Sequence, residues 1–207
     1  MIACNWSLSG LENGIWSAVT GPTINPTAPT AFVIDKLPGE LAIVCSGPAF
    51  AGALAKFSAP LPWASRLISF KYRVKLDDTI AFAQVLETDT KFTDGAGWTY
   101  DGSFQFNVAE GWMTQINNPW VDTGVKLPLA VDVWNDVQID YALDYNAHTI
   151  AIAAVNGKPL NMAPLPAKQV GWGVNSIVTQ LQLCTNAQGG AYIAKFMGIG
   201  YSGSDSA

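Results

Sequence analysis

Apolar and polar residues alternate with a period of two along most of this 207-residue chain. The clearest run is Leu67-Ile-Ser-Phe-Lys-Tyr-Arg-Val-Lys-Leu76. Ile68, Phe70, Tyr72, Val74 and Leu76 fall on one face, and Ser69, Lys71, Arg73 and Lys75 on the other. Successive side chains of a strand point to opposite faces, so this pattern predicts a strand with one buried side. Val137, Ile139 and Tyr141 repeat it. The same reading predicts strands at roughly 5–8, 14–19, 41–45, 51–58, 66–76, 80–88, 102–108, 112–117, 132–142, 149–155, 176–185 and 191–201. Turn signals separate them, notably Gly47-Pro48, Asp77-Asp78, Asp94-Gly95, Asn117-Asn118-Pro119 and Asn156-Gly157. Asn156-Gly157 sits between apolar runs and predicts a type I′ hairpin. Only Ala49–Phe57 hints at helical spacing, and Gly52 with the flanking prolines favours a strand there. No linker or repeat interrupts the pattern. It predicts one all-β domain over 1–207, a two-sheet antiparallel sandwich with a disordered tail at about 203–207.

Composition narrows the function. Hydrophobic residues make up 49% and charged residues only 13%, so the chain must bury a large core, line an apolar cleft or cover a subunit interface that makes a homo-oligomer. Net charge is −5 with no basic run, which excludes nucleic acid as a partner. No segment reaches the roughly 18 apolar residues of a membrane-spanning helix. The start, MIACNWSLSG, lacks the basic and apolar regions of a secretory signal, so a cytoplasmic location is expected if Met1 is the native start. Cys4, Cys45 and Cys184 are odd in number, and two lie in apolar strands, so buried free thiols are expected. His148 is the single histidine, which excludes a multi-histidine zinc site, and no metal site or cofactor motif is assigned.

Candidate site residues come from the polar phases and the loop aromatics. Gln105 and Asn107 alternate with Phe104, Phe106 and Val108, so the amides face a cleft or water. Thr114 and Gln115 continue that theme on the next strand. Trp98, Tyr100, Trp112 and Trp120 stand in loop-like contexts and could form aromatic platforms for sugar rings or for apolar ligands. Trp134 is assigned to packing. Glu87 and Asp89 share one strand face roughly 7 Å apart. They are either cleft groups or a solvated strand end, since 88–97 is polar. Asp101 follows Tyr100 at a loop edge and is a third acid to consider.

The order of blocks over about 65–200 resembles the concanavalin A-like jelly rolls, the legume lectin, glucanase and laminin G-like group. The resemblance is carried by the strand Val131–Tyr141 around Trp134, the hairpin through Val155-Asn156-Gly157 and the closing strand Ile193–Tyr201. Trp120-Val-Asp-Thr-Gly124 followed by Trp134-Asn-Asp-Val-Gln-Ile is also similar to bacterial and fungal jelly-roll proteins of this size. The resemblance implies a concave ligand-binding sheet crossed by a cleft. Retaining glucanases of the group carry Glu-x-Asp-x-x-Glu. Here Glu87-Thr-Asp89 matches, but Phe92 stands where the second Glu should be. Retaining hydrolysis needs two carboxyl groups about 5–5.5 Å apart, so the machinery is incomplete. The Gln-x-His strand of the group's lyases is absent. Its lectins bind calcium through Asp and Asn, for which Asp77-Asp78 and Asp140, Asp144 and Asn146 are the candidates.

These readings lead to a jelly-roll protein that binds an oligosaccharide on an aromatic-lined face. The alternative is an intracellular cyclase or isomerase of an apolar small molecule, with Glu87, Asp89 or Asp101 as proton donor. A third reading is a structural subunit that oligomerises through its apolar surface.

Overall fold

The computed structural model describes residues 6–9, 16–19, 34–37, 40–60, 67–93, 98–115, 120–143, 148–160, 165–169 and 176–204. The strands in chain order are β1 (Trp6–Ser9), β2 (Trp16–Val19), β3 (Ile34–Leu37), β4 (Glu40–Gly47), β5 (Gly52–Pro60), β6 (Leu67–Leu76), β7 (Ala83–Thr93) and β8 (Trp98–Asn107). They continue as β9 (Gly111–Gln115), β10 (Trp120–Asp122), β11 (Asn135–Leu143), β12 (His148–Val155), β13 (Lys158–Leu160), β14 (Leu165–Gln169), β15 (Ser176–Thr185) and β16 (Gly190–Ser204). One short 3-10 turn, Asp78–Phe82, precedes β7.

The strands form two antiparallel six-stranded sheets that do not close into a barrel. One runs β2-β5-β15-β7-β8-β14, and the other β12-β11-β6-β16-β4-β3. β14 links them, pairing through Ala167–Gln169 with β8 and through Leu165 and Pro166 with β12. β9 and β10 extend the first sheet beyond β8, while β1 and β13 add to the second. No helix among the described residues is long and apolar enough to cross a membrane.

The predicted alternation holds at β6, whose burial switches residue by residue and puts Ile68, Phe70, Tyr72, Val74 and Leu76 inside. Between the sheets, Phe70 stacks on Tyr201 at 4.5 Å and Phe92 meets Tyr141 edge-on at 4.7 Å. Aromatic pairs in such geometries each add about 0.5–1.5 kcal/mol beyond their burial. The Asn156-Gly157 turn has φ of 50° and 74°, the left-handed pair a type I′ turn requires.

Several boundaries differ from the sequence reading. Asp78–Phe82 is a 3-10 turn rather than the start of the next strand, because Asp77 caps it, accepting from Thr79 N at 3.0 Å. β3, β10 and β14 are short strands in segments read as loops, and their placement rests on a partner strand rather than on their own pattern. β16 runs on to Ser204, paired with Leu67, so the chain stays ordered into the stretch expected to be disordered.

Candidate functional site

The first sheet has two unlike faces. On β7, Leu86, Thr88, Thr90 and Phe92 point between the sheets and are buried. The opposite phase, Glu87, Asp89 and Lys91, points away from the core. Strand register carries that phase across the sheet. Gln182 stands beside Glu87, which stands beside Gln105 and then Met113. In the next row Gln180, Asp89 and Ser103 stand side by side, and Trp120 pairs with Gln115 at the far edge. Five strands about 4.8 Å apart make such a row about 19 Å long.

This outer face is recessed. Gln105 is 6% exposed, Gln182 8% and Ser103 3%, although all three point away from the core. Such side chains stay buried only where partners replace water. Gln182 Nε2 donates to Glu87 Oε2 at 3.2 Å, and Ser103 Oγ donates to Asp89 Oδ1 at 3.0 Å. Lys91 Nζ lies 3.3 Å from Asp89 Oδ2. Gln105 Nε2 points at Met113 Sδ, 3.4 Å away. Leu54, Val85 and Cys184 lie in the same phase toward one end and are also buried, so that end is apolar. Burial pushes the Cys184 thiol up to about 12, with Cys45 and Glu87 adding smaller electrostatic contributions. Cys184 therefore stays a neutral thiol; Cys45 is a second buried free thiol, and Cys4 lies outside the described residues.

The structure sorts the expected site residues. Glu87, Asp89, Gln105, Gln115 and Trp120 share the outer face. Asn107 shares the phase, but its Oδ1 accepts from Ala109 N at 3.0 Å and Glu110 N at 3.2 Å and so closes the β8–β9 turn. Trp112 and Thr114 are corrections. They lie on the inner face: Trp112 is 3% exposed, packs against Phe106 at 5.4 Å and donates from Nε1 to Leu127 O at 2.9 Å. Thr114, 2% exposed, donates to Ser103 O at 3.4 Å. The phase of β9 is thus one residue from the expected one, and Met113 takes the outer place. Trp98, Tyr100 and Asp101 lie on β8, with Tyr100 in register with Phe92 and Asp101 with Lys91; their side chains fall outside the described residues.

Glu87 and Asp89 are not a solvated strand end. They sit mid-strand between β15 and β8, because Thr88 and Thr90 are core residues with core partners: Thr88 bonds the Tyr72 hydroxyl at 2.7 Å, and Thr90 bonds Thr179 at 3.1 Å. Position 92 is inward, as the regular pairing of β7 demands, so Phe92 could not be replaced by an outward acid without a bulge. The outward neighbour is Lys91. Gln180, Gln182 and Ser103 were missed as candidates. Their signal is the alternation of Gln180 and Gln182 with Thr179, Leu181 and Leu183, and the shared phase of Ser103 and Gln105.

No group of three or more metal-ligating side chains occurs among the described residues. Asp77 is committed to its cap, and Asp140 Oδ2 accepts from Gln138 at 2.6 Å. Asp144 and Asn146 lie outside the described residues.

No family model matches the chain, and no curated protein matches it. Solved structures do. The endo-β-1,4-glucuronan lyase of the fungus Trichoderma reesei aligns at TM-score 0.53 and 11% identity, over 96% of this chain and 94% of that one. The Bacillus licheniformis β-glucanase aligns at 0.51 and 9%, over 98% of each chain. The potassium-bound carbohydrate recognition domain of Emp46p aligns at 0.54 and 9%, over 97% of each. All are concanavalin A-like jelly rolls, and this chain has that fold. At such identities the likeness extends to the fold alone.

Proposed function

We propose that the recessed outer face of the first sheet binds a neutral oligosaccharide of the β-glucan type, lying across the strands. The observation that carries this reading is the cross-strand row of amides, carboxylates and a hydroxyl ending at Trp120. Amides both donate and accept and carboxylates accept from paired hydroxyls, which suits a polyol. Trp120 offers an apolar ring at one edge. The fold neighbours include a carbohydrate recognition domain and a β-glucanase, which supports the same ligand class. With Lys91 rather than an acid in the outward place after Asp89, binding fits the described residues better than retaining hydrolysis.

Calorimetric titration with laminari- and cello-oligosaccharides tests this. The wild type should bind. Glu87→Gln and Asp89→Asn should each weaken binding about tenfold, in keeping with hydrogen bonds to charged groups worth roughly 1.5–3 kcal/mol, with unchanged melting. Unaltered affinity in the double variant, or no binding across a broad glycan panel, would remove the proposal.

The apolar end at Leu54, Val85 and Cys184 favours a second reading, a cyclase or isomerase that folds an apolar small molecule there with Glu87 as proton donor. Uptake of an apolar dye that Leu54→Gln abolishes, with no glycan bound, would select it.

A further inference from the structure

The opposite side of the molecule carries a second concavity, on the outer face of the β6–β11–β12 sheet. It is about 330 Å³ and is lined by Lys71, Arg73, Asp136, Gln138, Ala154 and Gly198, among others. That volume lies at the lower end of the roughly 300–1,000 Å³ typical of small-ligand sites.

Local sequence explains why a sheet face is hollow here. β16 pairs regularly with β6 through Met197 and again from Gly200, with a bulge between. Bulges bend a strand and re-aim its neighbours, and they recur beside binding sites. Gly198 sits in this bulge at φ +58°, and nothing lies within 4 Å of where its Cβ would be. Across β6 and β11, Ala154 occupies the row of Lys71 and Gln138 and contributes only a methyl group. Gly157 adds no side chain at the rim. The floor is therefore apolar and small, and the walls are long and polar.

The walls are charged in an ordered way. Arg73 Nε lies 3.0 Å from Asp136, and its guanidinium lies 5.8 Å from the Trp134 ring centroid. A stacked, paired arginine on an exposed surface is held in one orientation. Trp134, expected to be a packing residue, is only half-buried and lies outside the core, where its ring supports a surface cation. Lys71 differs, having no ion-pair or hydrogen-bond partner among the described residues. On the same face Lys75 stands beside Lys195 and has an acidic partner in Asp132, whose Oδ1 lies 4.0 Å from Lys75 Nζ. The outward phase of β11 returns acids to this face, Asp136 on Arg73 and Asp140, which accepts from Gln138 at 2.6 Å, so Lys71 is the cation of the depression left for an anion.

We propose that this depression binds a small organic acid of monosaccharide size, its carboxylate on Lys71. Gln138 and the Arg73–Asp136 pair then meet its polar edge, and the Ala154–Gly198 floor meets its apolar side. The site is independent of the glycan face, since it lies on the other sheet.

The test is amide NMR of the full chain titrated with sodium glucuronate, and with glucose as the uncharged isostere. Glucuronate should move the resonances of residues 71–73, 136–138 and 198 along a saturating curve, and glucose should not. Added salt should weaken the effect, since the cation is exposed. Lys71→Met should lower affinity at least tenfold, and Gln138→Ala several-fold, both with unchanged melting. Equal affinity in Lys71→Met, equal shifts with glucose, or shifts confined to residues 87–91 and 103–105 on the glycan face would overturn the proposal.

Discussion

Adjacent tryptophans of similar sequence context do opposite jobs. Trp112 packs in the core with its indole N–H satisfied by Leu127, while Trp120 pairs beside Gln115 at the edge of the outer face. Trp112→Ala should therefore cost about 3–5 kcal/mol, the range for deleting a buried large aromatic, and lower the denaturant midpoint accordingly. Trp120→Ala should leave the midpoint nearly unchanged while weakening oligosaccharide binding. A large loss of stability in Trp120→Ala, or none in Trp112→Ala, would show the two assignments reversed. Tyr192 is a third informative residue. It reaches across from β16, its hydroxyl accepting from Cys184 N at 2.8 Å and donating to Val85 O, at the point where β15 and β7 shift register. Tyr192→Phe removes the partner of two buried backbone groups. Urea unfolding should show a loss of about 1–3 kcal/mol with the same m-value.

At the scale of elements, the β11–β12 hairpin is fixed by two asparagines. Asn135 is fully buried, donates to Ala130 O at 2.9 Å and Val133 O at 3.2 Å, and accepts from Ala130 N and Asn156 Nδ2 at 3.0 Å each. Asn156 in turn accepts from Asp136 N at 2.8 Å. The loop before β11 and the turn after β12 are thus tied to one side chain. Asn135→Ala leaves several buried groups unpaired and should cost on the order of 3 kcal/mol. Gly157→Ala meets no steric neighbour but retains φ +74°, so its cost should be confined to backbone strain of roughly 1–2 kcal/mol. Thermal melts that rank these two variants in the opposite order would contradict this account.

For the whole molecule, burial of weakly acidic groups sets a limit at high pH. Cys45 and Cys184 ordinarily lose their protons at 9.0, but burial pushes them up to about 11 and about 12. Tyr72 is likewise pushed from 10.0 to about 12, against a smaller lowering from its bond to Thr88, and Tyr192 and Tyr201 are raised well above 10.0 by burial. In this alkaline window the unfolded chain binds fewer protons than the folded one. Stability is then fully present below about pH 9 and falls as pH rises through the folded values near 11 and 12. Melting temperatures measured from pH 7 to 11 should decline from about pH 9, and Cys45→Ala with Cys184→Ala should move the onset toward pH 10. A flat profile to pH 11 would show that these groups are solvated in the fold.

The sequence by itself determined what repetition and steric preference can encode. The period-two runs defined β6 and β11 with their buried faces and the span of β15, Asn156-Gly157 defined a hairpin, and the outward phase of Gln105 followed from Phe104 and Phe106. The tertiary structure alone decided which polar residues are core. Thr88 and Thr90 make β7 polar on both faces, so the strand reads as a solvated end until Tyr72 and Thr179 supply their partners from other strands. It also decided the phase of β9, because Trp112 and Thr114 alternate with Met113 and Gln115, one apolar and one polar residue in each phase, so the pattern does not say which pair turns inward. The short strands β3, β10 and β14 exist through pairing with a neighbour, a free energy held between segments distant in the chain and written in neither one.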